Sequence, residues 1–161
     1  MGIIPQLIIN SIIAGSIYSL VALGFNLIYG TTRFFNLTHG VICAVGGYAT
    51  YAFLKLMGLP APIAIILGIT IAALVGWLSE LLVFRKMRKD KASSMVMLVA
   101  SLGLFTALQA VIAIIFTSQF QTLSTNVSTT TVYYLYGGVM TGVQVMILAT
   151  EIAIMLGLAL L

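Results

Sequence analysis

From Ile3 to Tyr29 the chain meets no charged side chain, and four later stretches repeat the pattern almost as strictly. This constrains the fold more than any motif. Only 6% of the 161 residues are Asp, Glu, Lys or Arg, and 61% are hydrophobic; a soluble domain of this size would be roughly a quarter charged. Runs of about 20 apolar residues match the hydrocarbon thickness of a bilayer when helical. The fold class is therefore all-α, a polytopic transmembrane bundle of about five helices. The expected spans are Ile3–Tyr29, Phe34–Leu56, Pro60–Phe84, Ser93–Phe116 and Val139–Leu161. The second carries Asn36, Thr38 and His39 at its start, so it either spans or re-enters. Continuous apolar runs do not suit a membrane barrel, whose strands alternate. Ser118–Tyr136 is uncharged, rich in Ser and Thr, and reads as an external loop able to hold a short hairpin.

The charge that exists is concentrated. Five of the seven basic residues, Arg85, Lys86, Arg88, Lys89 and Lys91, lie in one short loop. Basic loops between membrane helices favour the cytoplasm, so this loop is expected inside, in a multi-pass protein of the plasma (inner) membrane. The fourth helix then runs outward. A net charge of +4 confined to such a loop does not call for nucleic acid. One Cys and one His cannot make a Cys/His metal cluster. No phosphate-binding loop, nucleophile elbow or paired carboxylate appears, so neither catalytic residues nor cofactors are expected. The N-terminus is no signal peptide, because no basic residue precedes an apolar run too long for one.

Small residues carry packing information in lipid, where helices gain nothing hydrophobic by pairing. Ala64, Gly68, Ala72 and Gly76 recur every four residues, ending on Glu80. Ser11, Gly15, Ser19, Ala22 and Asn26 make a similar stripe on the first helix. His39, Cys43, Gly46 and Thr50 share a face on the second. Among polar residues, Glu80 is expected to snorkel or to pair with a nearby base. Glu151 stands out: it lies seven residues after Gln144, near the centre of the fifth helix, where a carboxylate is expensive. Tyr18, Asn26, Asn36, His39, Gly40 and Glu151 are the candidates for a translocation path or gate. Asn36–Gly40 reads equally well as a structural junction.

The segment Gly15-Ser16-Ile17-Tyr18-Ser19-Leu20-Val21-Ala22-Leu23-Gly24-Phe25-Asn26-Leu27-Ile28-Tyr29-Gly30 is followed by Phe35-Asn36-Leu37-Thr38-His39-Gly40 and then Gly46-Gly47-Tyr48. Together these resemble permeases of branched-chain amino-acid ABC importers, with Ser19 in place of the usual Ala and Leu37-Thr38 in place of Phe-Ala. The resemblance implies a permease subunit that pairs with a second, homologous permease. It also implies two cytoplasmic ATPase subunits, which hold the ATP chemistry, and an extracytoplasmic solute-binding protein. The chain stops inside an apolar run and lacks the family's later coupling region, so residues 1–161 are expected to be one transmembrane domain, a truncated permease. Two other readings stay open from the residues alone: an ion- or proton-coupled carrier using His39 and Glu151, and a non-transporting membrane scaffold.

Overall fold

The computed structural model describes residues 3–117, 132–135 and 138–159. The expected external loop falls largely outside them. Helix α1 runs from Ile3 to Thr32, α2 from Thr38 to Tyr51, α3 from Ala61 to Ser79, the short α4 from Arg85 to Lys89, α5 from Ser94 to Phe116 and α6 from Gly142 to Ala159. α3 and α4 are joined by a π turn, Glu80–Phe84, into one rod. Among the described residues three helices are long and apolar enough to cross a membrane: Ile3–Thr32, Ala61–Lys89 and Ser94–Phe116. α2 continues without a break through a second π turn, Ala52–Leu56. Its 14 residues plus that turn's 5 give a rod about 28 Å long at ~1.5 Å per residue.

The helix ends follow local chemistry. α4 closes with Lys91 in the left-handed region at φ 54°. Ala92 N–H donates to Met87 C=O at 3.0 Å and Lys91 N–H to Arg88 C=O at 3.1 Å, the paired bonds of a Schellman end. Gly58 supplies the positive φ, 66°, that turns the chain after α2. Extended Pro60 and then Pro62 open α3, where a missing N–H costs nothing. The Ser93 hydroxyl accepts from Val96 N–H at the start of α5.

Two expectations need correction. The basic segment Arg85–Lys91 is not a plain loop: Arg85–Lys89 forms α4, continuing the α3 rod, and only Asp90 and Lys91 turn. Val139–Thr141 is not the start of the last helix. Gly138–Thr141 forms β2, antiparallel to β1 (Val132–Leu135), with Tyr133 opposite Met140 and Tyr134 opposite Val139. Gln6 of α1 explains why this stretch stays extended. Its side chain accepts from Val139 N–H at 2.8 Å and donates to Val139 C=O at 3.2 Å, occupying both backbone groups that a helix would use.

The chain divides into two compact units. One joins Met1–Leu23 to Ser124–Leu161; the other is Gly24–Leu123. In the first, β2 lies close to the start of α1: a Cβ on Gly138 would stand 3.4 Å from the Pro5 backbone. In the second, α2 packs along α3 and against α5. A small core of Phe34, Phe84 and Met97 gathers next to the basic turn, with the Phe34 and Phe84 rings 5.2 Å apart.

The stripe on α3 faces α2. Ala64 is fully buried. A Cβ on Gly68 would collide with the Thr50 hydroxyl and lie 2.9 Å from Gly46 O. Thr50 fills that notch while donating to Gly46 O at 2.9 Å. Ala72 meets Gly46, and Gly76 faces Ile42. The stripe on α1 differs. Ser11, Gly15, Ala22 and Asn26 are exposed, and a Cβ on Gly15 would meet nothing within 4 Å. Gly15, expected to pack, has no neighbour among the described residues.

Candidate functional site at the α1–α2 junction

Between α1 and α2 the sequence Phe34-Phe35-Asn36-Leu37-Thr38 turns the chain and ties it to the middle of α5. The Asn36 carboxamide accepts from Thr38 N–H at 3.1 Å, and Asn36 C=O accepts from His39 N–H at 3.3 Å. Asn36 thus supplies acceptors to the first turn of α2, as a short polar residue at a helix start does. Thr38 is fully buried, and its hydroxyl donates to Ser101 C=O at 3.0 Å. The Ser101 hydroxyl, also fully buried, accepts from Leu37 N–H at 3.2 Å and donates to Leu98 C=O at 2.7 Å. A tight turn packed against another helix leaves backbone groups that need partners within the protein. Here Ser101 and Asn36 satisfy them.

His39 stands on the first turn of α2 and reaches back to the end of α1. Its ring meets Phe25 edge-on, centroids 5.0 Å apart, and Phe25 stacks on Phe35 at 5.4 Å. The imidazole occupies the space where a side chain on residue 24 would begin; a Cβ there would lie 2.9 Å from Cε1. Gly24 is therefore what lets histidine approach the α1 backbone. Cys43, one turn further along, lies with its Sγ 3.9 Å from His39 Nε2. Gly40 is half-buried, with open space where a Cβ would go.

An apolar cavity of about 300 Å³ lies between α2, α3 and α5, lined by Val45, Tyr48, Phe53, Val75 and Phe116 among others. The Tyr48 and Phe116 rings bound it, centroids 4.9 Å apart. It offers dispersion contacts and almost no polar group. At the other end of α3, Glu80 forms an ion pair with Arg88. Eight residues separate them, a spacing that one π turn (i→i+5 bonds) plus one α turn brings to about the same face.

The structure brings Asn36, His39 and Gly40 together, with Asn26 exposed on α1 beside Phe25. Tyr18 is exposed and Glu151 buried; both belong to the other unit. Sequence reasoning missed Ser101 and Gly24. The signal for Ser101 was a hydroxyl in a largely apolar run, which it shares with Thr106 and Gln109; for Gly24, a glycine inside a helix, fifteen residues before the histidine it admits. Among the described residues no group of three or more His, Cys, Asp or Glu could hold a metal ion. The arrangement combines hydrogen-bonded polar groups at a helix junction with an apolar cavity in the same unit.

The sequence model of a family described as "Branched-chain amino acid transport system / permease component" matches residues 7–161. The chain is 29% identical over 112 residues to the high-affinity branched-chain amino acid transport system permease protein LivH of Salmonella typhimurium, covering 65% of this chain and 36% of that protein. LivH of Escherichia coli K12 gives the same figures. The corresponding protein BraD of Pseudomonas aeruginosa is 24% identical over 166 residues, covering 96% of this chain and 53% of BraD. The chain thus spans between about a third and a half of the length of these relatives. No solved structure matches. With nearly all of the sequence covered by the family match and three helices able to cross a bilayer, the chain belongs to the permease components of branched-chain amino acid transport systems and is a multi-pass membrane protein.

Proposed function

We propose that the chain acts as a transmembrane subunit of an ABC importer that moves branched-chain amino acids inward across the plasma (inner) membrane. The family match over residues 7–161 carries this reading. The relatives' description as branched-chain amino acid permeases supports the substrate class. In this reading the chain works with a second, homologous permease, two cytoplasmic ATPases that hydrolyse ATP, and an external solute-binding protein. The Arg85–Lys91 segment, α4 with its closing turn, faces the cytoplasm, supported by its five basic residues and the positive-inside rule. Tyr18, Asn26, Asn36, His39, Gly40 and Glu151 contribute to the path or its gate. The half-buried imidazole, held by ring contacts and a glycine notch, is the group best able to move without breaking the Thr38–Ser101 anchor.

The test is uptake of radiolabelled leucine into cells or vesicles carrying the transporter, with and without this chain. Uptake that needs this chain and ATP, and persists when the proton gradient is collapsed, is the expected result. Uptake that follows the proton gradient would replace this reading with a proton-coupled carrier.

A further inference from the structure

The chain has three acidic residues, and they sit in different surroundings. Glu80 is paired with Arg88. Asp90 is exposed in the basic turn. Glu151 lies midway along α6 and is 7% exposed. No described residue hydrogen-bonds or ion-pairs with it. Its unit, Met1–Leu23 with Ser124–Leu161, contains no Lys, Arg or His side chain at any position. Yet no described side-chain oxygen or nitrogen is both sealed off and unpartnered. The Glu151 oxygens therefore keep an opening.

A carboxylate buried on an apolar helix of a membrane protein is costly and marks function, and a buried charge is stabilised by an opposite charge with good hydrogen bonds. We infer that Glu151 receives the α-ammonium group of the amino acid in transit. The inference rests on the permease reading above. A primary ammonium brings one positive charge and three N–H donors to an acceptor-only carboxylate, giving short charge-assisted bonds. The aliphatic side chain of the same solute then needs only apolar surroundings, which the rest of α6 provides. On α6, Glu151 shares its face with the half-buried Gln144, Ile147 and Leu148. Gln144 is already engaged, accepting from Thr141 N–H at 2.8 Å, which leaves Glu151 as the group on that face with charge to offer.

The experiment uses the chain in the complex in which it is purified, held in lipid nanodiscs. Three probes are titrated: leucine, isopentylamine, which keeps the ammonium without the carboxylate, and 2-hydroxy-4-methylpentanoate, which replaces the ammonium by hydroxyl. Wild type is expected to bind leucine and the amine more tightly than the hydroxy acid. Glu151→Gln should weaken leucine and the amine by roughly tenfold or more while leaving the hydroxy acid unchanged. Glu151→Asp, which keeps the charge, should retain the preference. Equal binding of leucine by wild type and Glu151→Gln would overturn the inference, and so would a wild type that does not distinguish leucine from the hydroxy acid. A wild type without that preference overturns the inference even if Glu151→Gln fails to fold. Leucine uptake is read in parallel. If wild type and Glu151→Gln transport equally, the inference fails and the permease stands; if wild type transports no amino acid, the permease reading fails and takes the inference with it.

Discussion

Helices α1 and α3 carry the same sequence signal and meet different surroundings. Each has a small residue every three or four positions over most of its length. On α3 that stripe is closed by α2: Ala64 is buried, and Gly68 leaves just enough room for Thr50 and the Gly46 carbonyl. On α1 the stripe is exposed, and space beside Gly15 is empty. A small-residue stripe marks a face where backbones can approach; it does not say which backbone arrives. The difference lies in the partner surface. α2 offers Gly46 and Thr50 one turn apart, and Thr50 turns its hydroxyl back on its own helix, so it brings no unsatisfied donor to the contact.

Substitutions can break this contrast. The largest effect is expected for Gly68→Leu. Even its Cβ collides with Thr50, and overpacking of this kind costs about 1–3 kcal/mol or more; unfolding in detergent or bicelles should show a large loss of stability. Ser101→Ala comes next. It strands the Leu37 N–H inside a helix junction, at about 1–2 kcal/mol, and amide exchange at Leu37 should accelerate with it. Lys91→Gly should work in the opposite direction. It relieves a left-handed lysine at the end of α4 by about 1 kcal/mol, read as a rise in unfolding midpoint. The smallest effect is expected at Gly15→Leu, within about 0.5 kcal/mol for this chain alone, because the new side chain enters open space. A large destabilisation there would mean that the α1 stripe is already occupied.

Much of the fold was legible because its causes are local. Apolar run length located the helices, Gly58 and Pro60 located the break before α3, and the four-residue spacing of Ala64 to Gly76 picked out a face that does meet another helix. What could not be read depends on groups far apart in sequence. Val139 looked helical because its neighbours are apolar, and it is held extended by Gln6, 133 residues away. Ser101 looked like one more small residue in a helix, and it satisfies a turn 64 residues earlier. Glu80 was expected to pair with a base; that the base is Arg88 follows from the π turn, which apolar periodicity does not reveal. At the candidate site, Asn36, His39 and Gly40 stood out as polar or small residues at a break. The Gly24 notch and the Phe25 ring that place the imidazole did not.

The contact between α2 and α3 is the centre of this account, since it holds the polar junction and the cavity in one body. It can be tested by a disulfide. A Cβ on Gly46 would stand 3.2 Å from the Ala72 Cβ, a few tenths of an ångström from the range of about 3.5–4.5 Å that a disulfide spans. With the native thiol removed by Cys43→Ser, the pair Gly46→Cys and Ala72→Cys should oxidise within one chain in the membrane. After denaturation in detergent, mass spectrometry should then show two hydrogens lost and no maleimide uptake, while a single Gly15→Cys treated the same way takes up one maleimide. If both thiols of the folded double variant remain free under the same oxidant, α2 and α3 do not meet through their small residues and the packing described here is wrong.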